Sequence, residues 1–346
     1  MGYGGGIGAT LGWGGELSAG YFAAPSEWST FEKEAHKLKK NIITKDDLHG
    51  GPYNLQTRRA FVTVTADGSI DRALYDRQMG LWFRQALGAS AITAGGNASA
   101  GYQTNFFAGN LTGLSLSVQV GRPTSLGVMV ATSYNGLKVT KATWGVSASQ
   151  VGTFVVDTDA WNENVTIGSS GQYGYVAPNW VSSDLLSFKG ASMLIGGTAT
   201  TTSANFTTVS GNAAEIYCKD FTASHALTLD VARYFVGGNG IKSEQIENGM
   251  RKIDGTMKLE FANITDVYNA MAADIPKALV FEFVGTSFST LFTPSVTLTV
   301  PVAFFDEDDF HVDGPKLLEQ AVTWTAYDDG VNNPFQVTTL SADSTL

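Results

Sequence analysis

Apolar and polar residues alternate with a period of two in several segments of the chain. In the run Phe61-Val62-Thr63-Val64-Thr65, both valines fall on one face of an extended strand and both threonines on the other. The same alternation occurs in residues 114–120, 256–261 and 296–300. One apolar and one polar face per strand is typical of antiparallel sheets that pack on one side. The pattern predicts an all-β fold.

Two segments have the character of helices instead of strands. Ser69 is suited to cap a helix over residues 70–87, and Thr265 or Asp266 is suited to cap a shorter one through Ala273. We expect each helix to cover one open face of a sheet.

The predicted elements occur twice in the same order. The matches, in order along the chain, pair residues 58–64 with 251–257, 74–76 with 267–269, 114–120 with 296–302, and 136–144 with 314–324. Four matches in the same order predict an internal duplication. The fold expected is two tandem β domains, each with a flanking helix.

A polar segment rich in Gly, Ser and Asn, residues 161–180, is the predicted linker between the two halves. The first domain then covers residues 1–160, including a glycine-rich N-terminal arm, and the second covers 181–346. The first half also carries a Gly/Ala-rich insertion, residues 89–113, which has only a short counterpart in the second.

A long polar excursion precedes the first core strand of each half, at residues 39–56 and 236–249. Loops of this length in a compact domain are often functional. We expect them to contact a neighbouring subunit, with plain surface hairpins as the alternative.

Composition agrees with short strands joined by turns, because the 346 residues include 39 Gly, 9 Pro and only 16% charged residues. A formal net charge of −10 argues against a surface that grips nucleic-acid phosphates. The only cysteine, Cys218, cannot form an internal disulfide, which fits a reducing compartment. The N-terminal residues lack the basic and apolar regions of a signal peptide, and no apolar window predicts a membrane span.

Candidate chemistry is sparse. The four histidines, His36, His49, His225 and His311, are scattered and form no ligand-spaced group. Residues 4–9 match a permissive dinucleotide fingerprint but lack the strand that must precede it. The acidic run 306–309 lacks the spacing of a calcium loop and is interpreted as a charged turn. We predict no catalytic, cofactor or metal residues, although dispersed carboxylates, as in glycosidases, have no sequence signature.

Several phrases resemble a known family. They are residues 230–235, 246–256 and 314–320 in the second half, and 110–123 and 134–139 in the first. Together they resemble the tail tube (major tail) proteins of long-tailed bacteriophages, in particular those of actinobacteria. The resemblance implies a β-sandwich or barrel with a flanking helix. It also implies copies that join their sheets around a lumen, form stacked rings and build a structural tube through which DNA passes.

The resemblance further implies an assembly and partners. If related rings contain six tube domains, a chain with two domains builds a ring from three copies, so pseudo-sixfold trimers are preferred and hexamers are the alternative. The implied partners are other copies of the chain, a tape-measure protein, a tail terminator and a distal tail protein. Double-stranded DNA is expected to pass the lumen without specific binding. Assembly is expected in the host cytoplasm and the final location is the virion tail.

Candidate contacts between subunits come from the aromatic residues of the N-terminal arm and from the two excursions. The arm residues could instead close the core of the first domain. The candidates are Trp13, Tyr21, Phe22, Trp28, Ile42, Ile43, Asp46, Asp47, Ile241, Lys242, Glu244 and Glu247. An alternative function is a receptor- or carbohydrate-binding β module, in which exposed aromatic rings stack on sugars. Such a module would not polymerise.

Overall fold

The computed structural model describes residues 6–46, 52–94, 101–203, 205–211, 214–260, 267–287, 292–309 and 318–346. Most of these residues lie in strands, and the two α-helices are α1 (Gly80–Leu87) and α2 (Tyr268–Ala272). The strands are β1 (Thr10–Gly15), β2 (Glu27–Ser29), β3 (Lys33–Glu34), β4 (Lys37–Thr44), β5 (Arg59–Ala73), β6 (Gly88–Ala94), β7 (Tyr102–Ala108), β8 (Leu116–Pro123), β9 (Met129–Ser147), β10 (Thr153–Ala160), β11 (Asn162–Ile167), β12 (Ala191–Ile195), β13 (Thr198–Thr201), β14 (Thr207–Ser210), β15 (Ala214–Glu215), β16 (Cys218–Ala226), β17 (Leu229–Asp230), β18 (Ile246–Glu247), β19 (Lys252–Glu260), β20 (Lys277–Val284), β21 (Ser295–Asp309), β22 (Glu319–Ala326) and β23 (Gln336–Ser341). The described chain is therefore all-β, as predicted, and it carries two short helices. No helix in these ranges is long and apolar enough to cross a membrane.

One run of antiparallel strands passes through both halves of the chain, and we call it the through-sheet. Its order is β4, β5, β10, β9, β16, β19, β22 and β21. Short strand β3 lies beside β5 in line with β4. Only the second halves of β9 and β21 belong to this sheet.

The first halves of β9 and β21 bend into separate groups of strands. The group in the first half has the order β2, β1, β8, β9 and β11. The group in the second half has the order β15, β12, β20, β21 and β23, and hairpin β6–β7 extends it by pairing with β23. Within the described residues, none of these sheets closes on itself into a barrel.

The irregularities of β9 and β21 occur at corresponding positions. The register of β9 against β10 shifts at Thr140, and the register of β21 against β22 shifts at Asp306. A second shift occurs where β9 pairs with β8, between Tyr134 and Leu137. The matching shift occurs where β21 pairs with β20, between Val300 and Ala303. Bulges aim and bend strands and are structural features in their own right. The pairing pattern of the first half therefore recurs in the second.

A single apolar core extends through both halves. Trp144 of β9 is fully buried in this core. Its ring centroid lies 6.0 Å from that of Phe83 in α1, 5.3 Å from Phe154 in β10 and 5.4 Å from Phe335 in the second half. Helix α1 contributes Trp82, Phe83, Ala86 and Leu87 to this core, which explains its position over the sheet.

The first helix is shorter than predicted. Strand β5 continues through Ala73, and α1 begins only at Gly80. Ile70 and Arg72 are buried and lie opposite residues of β10. Sheet pairing and burial outweigh the capping signal of Ser69, because capping is a weak local preference. Helix α2 lies within the predicted second helix, whose capping residues are outside the described ranges.

Three other expectations differ in detail. Residues 162–167 of the predicted linker form β11, which pairs with β9. The acidic run 306–309 is the end of strand β21 instead of a turn. The third sequence match joined β8 to β21 and the fourth joined β9 to β22, whereas the pairing pattern makes β9 the counterpart of β21 and β10 the counterpart of β22. The first match joined the corresponding strands β5 and β19, but six residues out of register, because Ile70 takes the place of Met257. Alternation identifies a strand but not its place in a sheet, so sequence alone could not distinguish these strands.

Candidate assembly interface

The through-sheet ends in two strands that are paired on one side only. Strand β4 pairs with β5, and residues 305–309 of β21 pair with β22. In the part of the chain that the structure describes, no strand occupies their outer sides. An unpaired edge presents backbone N–H and C=O groups to which another strand can add.

The backbone orientation of β4 shows which groups face outwards. The N–H of Val64 in β5 donates to the carbonyl oxygen of Gly240 at 2.9 Å, so the backbone groups of Val64 point away from β4. Lys40 stands opposite Val64. In an antiparallel pair, two opposite residues either both point their N–H and C=O groups towards each other or both point them away. The N–H groups of Lys40 and of Leu38, two residues earlier, therefore point to the open side of β4.

The hairpin formed by β4 and β5 exposes apolar side chains at its outer end. Ile42 is 37% exposed, Ile43 50%, Phe61 53% and Val62 39%. Consecutive residues of a strand lie on opposite faces, so both faces of this hairpin carry exposed apolar surface. Exposed apolar surface on a sheet edge marks a place of association.

The two edges carry opposite charges. Strand β4 contains Lys37, Lys39 and Lys40, and the end of β21 contains Asp306, Glu307, Asp308 and Asp309. Lys39 Nζ lies 2.7 Å from a carboxylate oxygen of Asp67, and both side chains are partly exposed. Complementary charge favours contact between the β4 edge and the β21 edge over contact between two like edges.

A junction of this kind already exists inside the chain, where β9 pairs with β16. Lys141 stands opposite Ala226, and the N–H of Leu227 donates to the carbonyl oxygen of Thr140 at 2.8 Å. Strand β9 is the counterpart of β21, and β16 lies beside β19 as β4 lies beside β5. The second half thus fills an edge of the first that would otherwise be free.

The second excursion also contacts the first half of the same chain. Lys242 and Asp159 form a buried ion pair, and Gln245 Nε2 donates to Asp159 Oδ2 at 2.8 Å. Burial raises the pKa of the Asp159 carboxyl, while the contacts with Lys242 and Gln245 oppose that shift. Lys138 Nζ donates to Glu244 Oε1 at 2.7 Å. These polar contacts hold the excursion on the through-sheet.

The remaining candidates of this excursion lie at its margins. Glu247 pairs with Arg251, whose Nη1 donates to the Leu87 carbonyl oxygen at the end of α1, at 2.8 Å. Ile241 is 38% exposed. Lys242, Glu244 and Glu247 are therefore engaged within the chain, at the boundary between its two halves.

A family model described as phage tail tube protein matches residues 6–326. The chain belongs to the phage tail tube protein family. A search of curated proteins found no match. Membership makes the chain a structural protein of the virion tail, from a family that is generally non-enzymatic, and it implies self-association together with contacts to other tail proteins.

The aromatic residues of the N-terminal arm of this tail tube protein lie mostly in its own core. Trp13 is fully buried, and Phe22 and Trp28 are each 8% exposed. Tyr21 is 70% exposed and offers a ring to the surface. Asp46 is exposed, and Asp47 lies outside the described residues. Of the arm candidates, only Tyr21 has most of its surface available to a neighbour.

Sequence reasoning missed Arg72, which is buried in the core of the first half. Its guanidinium lies 4.8 Å from the ring centroid of Trp13 and 5.3 Å from that of Trp82. Such contacts between a cation and aromatic rings stabilise a desolvated charge. Arg72 looked like an ordinary helix residue, so no sequence signal indicated its burial.

Glu27 gives the first half a stability that depends on pH. Burial raises the pKa of Glu27 to about 7, although Trp13 Nε1 donates to its Oε2 at 2.8 Å and Arg72 also favours the charged form. A carboxyl with a raised pKa stabilises the fold below its ordinary pKa, and that contribution is lost as the pH rises through about 7. In the parent protein the urea concentration at the midpoint of unfolding should fall as the pH rises from 5 to 8. We expect Glu27→Gln to reduce this dependence on pH.

The matched control is Glu32→Gln, which changes an exposed carboxylate near the same strand. It should keep the pH dependence of the parent protein. If Glu27→Gln and the parent show the same slope, Glu27 is already ionised in the fold at pH 5.

Proposed function

We propose that copies of this tail tube protein join edge to edge into closed rings, and that these rings stack into a hollow tube. DNA passes through the tube during ejection. The observation that carries the proposal is the through-sheet, which among the described residues ends in two edge strands of opposite charge with no strand on their outer sides. In a closed ring every edge strand is paired, so the ring has no unpaired edge that could promote aggregation.

Three copies per ring are the preferred stoichiometry, with hexamers as the alternative. Each half supplies four strands to the through-sheet, β4, β5, β10 and β9 from the first and β16, β19, β22 and β21 from the second. The recurrent pairing pattern supports an internal duplication with domains at 1–160 and 181–346. A ring of three such chains has six similar units and pseudo-sixfold symmetry.

The first excursion then reaches the neighbouring copy. The second excursion contacts the half that precedes it, through Lys242 and Glu244. The first excursion occupies the corresponding place before β5, where the preceding half belongs to another copy. Its exposed Ile42, Ile43 and Asp46 are therefore the proposed contacts between copies.

The face of the through-sheet that points away from the core is the proposed lumen wall. Three of its lysines have carboxylates beside them: Lys39 lies near Asp67, Lys252 near Asp254, and Lys258 near Glu319. A lysine paired with a carboxylate has less charge to offer a phosphate, and the chain has a net charge of −10. Such a wall lets DNA slide without being held.

The family supplies the remaining elements of the proposal. The tube would meet a tape-measure protein along its lumen, a tail terminator at one end and a distal tail protein at the other. Assembly would take place in the host cytoplasm.

Electron microscopy of the purified protein at rising concentration tests the proposal. We expect hollow tubes of stacked rings, with threefold averages that show pseudo-sixfold features. Particles that remain small and defined at every concentration would instead favour the receptor-binding alternative.

Lys40→Pro is expected to raise the concentration needed for tube formation by more than tenfold. Proline has no N–H to donate at the open edge of β4, and the Lys40 N–H makes no bond to β5 because it points outwards. The matched control, Lys40→Gln, keeps the N–H and should assemble within a few-fold of the parent. Sedimentation measures assembly, and circular dichroism checks that both variants fold. Normal tubes from Lys40→Pro would show that β4 is not at the joint.

A further inference from the structure

We propose that the joint between copies pairs β21 of one copy with β4 of the next in a single register, with Glu307 opposite Lys39 and Asp309 opposite Lys37. The inference rests on the edge-to-edge assembly proposed above. It adds the register and the charged residues that select it.

Strand β9 of the first half corresponds to β21 of the second. Both strands show two register shifts, and the paired positions around them differ by a constant 166 residues, as for Tyr134 and Val300 or Leu137 and Ala303. Lys141 therefore corresponds to Glu307, and Thr143 corresponds to Asp309. Thr140 and Asp306, the residues at the shifts towards β10 and β22, also correspond.

Strand β16 corresponds to β3 and β4, because one row of opposite residues crosses the strands of each half in the same way. In the first half the row is Ala142, Val156, Ile70 and Glu34. In the second half it is Asp308, Val322, Met257 and Phe221. Glu34 thus corresponds to Phe221. Strands β3 and β4 share one register against β5, so five residues later Lys39 of β4 corresponds to Ala226 of β16.

The internal junction then supplies the register. Within the chain, Lys141 stands opposite Ala226 and Thr143 opposite Ser224. The corresponding pairs between copies are Glu307 with Lys39 and Asp309 with Lys37. The bond from the Leu227 N–H to the Thr140 carbonyl oxygen becomes a bond from the Lys40 N–H to the Asp306 carbonyl oxygen.

The backbone of β4 agrees with this register independently. The register requires the N–H of Lys40 to point outwards, and the contact between Val64 and Gly240 shows that it does. Lys39 and Glu307 then occupy a non-hydrogen-bonded pair, where opposite Cα atoms are only about 4.5 Å apart and side chains interact most closely.

The strand pairings alone give this register, and it places an acidic residue opposite a basic one at both positions. A slip by one residue would put Glu307 opposite Leu38 and turn the side chains to the other face. Two β4 edges, or two β21 edges, would bring like charges together. The charges thus favour head-to-tail joining of copies, which a closed ring requires.

Cysteine trapping tests the register. Lys39→Cys combined with Glu307→Cys should form disulfides between copies under mild oxidation, seen as a ladder on non-reducing gels. The matched control, Lys37→Cys with Glu307→Cys, is displaced by two residues and should be cross-linked at least tenfold less. Cys218 is common to both variants. Equal trapping, or more trapping in the control, would overturn the register.

Charge reversal provides the second measurement. Lys39→Glu and Glu307→Lys should each raise the concentration needed for assembly several-fold, and the double variant should recover most of the loss. Lys141→Glu makes the same charge change at the internal junction and should assemble as the parent does. In one outcome the parent forms tubes while the cysteine pair gives no disulfide between copies and the double charge variant recovers no assembly. That result would refute the register and would not contradict edge-to-edge assembly. Absence of both tubes and trapping would refute both proposals.

Discussion

Replacing Trp144 by alanine is expected to lower the free energy of unfolding by about 3–5 kcal/mol, the usual cost of truncating a buried large aromatic residue. Trp144 is fully buried and contacts the rings of Phe83, Phe154 and Phe335. Because Phe335 belongs to the second half, the cavity would weaken the packing of both halves at once. Urea unfolding of dilute, unassembled protein measures the change.

Trp180→Ala is the matched control, since Trp180 is 51% exposed. We expect it to change the free energy of unfolding by less than about 0.5 kcal/mol, as is usual for surface substitutions. If the two variants have similar unfolding midpoints, Trp144 is not part of a shared core. If Trp144→Ala instead gives two separate transitions, the two halves can unfold independently.

The second large effect is expected at the ion pair between Lys242 and Asp159. Lys242→Met leaves a buried carboxylate without its cation, and removal of one partner from a buried pair costs about 3–5 kcal/mol. Both residues are buried, Lys242 at 2% and Asp159 at 5% exposure. The Asp159 pKa is already raised by burial, so loss of Lys242 should raise it further.

The pH dependence of this variant follows from the raised pKa. A protonated Asp159 is tolerated in the fold, so the destabilisation should be smallest near pH 5 and should grow as the pH rises. Lys141→Met removes an exposed lysine and should cost less than about 0.5 kcal/mol. The double variant Lys242→Met with Asp159→Asn should recover part of the loss. A cost that does not vary with pH would show that Asp159 does not become protonated in the fold.

Some of the candidate interface could be read from the sequence. The length of the first excursion predicts its contact with a neighbour, and Ile42, Ile43 and Asp46 remain candidates for that contact. The same reasoning selects Lys242 and Glu244, which instead contact the first half of their own chain. What the sequence could not supply was the position of β4 and β21 at opposite ends of one sheet. The same limitation explains why the acidic run was predicted as a turn, since nothing local in the sequence shows that its strand pairs with β22.

Candidates in the N-terminal arm illustrate a different limit. Trp13 and Tyr21 are both aromatic residues in a glycine-rich segment, and nothing local distinguishes them. In the fold, Trp13 packs 5.6 Å from the ring of Trp82 while Tyr21 stays 70% exposed. The difference depends on a helix almost 70 residues away in the chain, which no local pattern can report.

The sequence by itself determined the all-β class and the family, because alternation and turn composition are local properties that act through strand propensity and burial of one face. The tertiary structure alone decided where β5 ends, which strand is the counterpart of which, and which edges remain open. Those outcomes depend on hydrogen bonds between strands far apart in the chain, such as β9 with β16 and β7 with β23. Such pairings are selected by the whole sheet, because each strand can satisfy its backbone groups with any partner that the rest of the fold brings alongside.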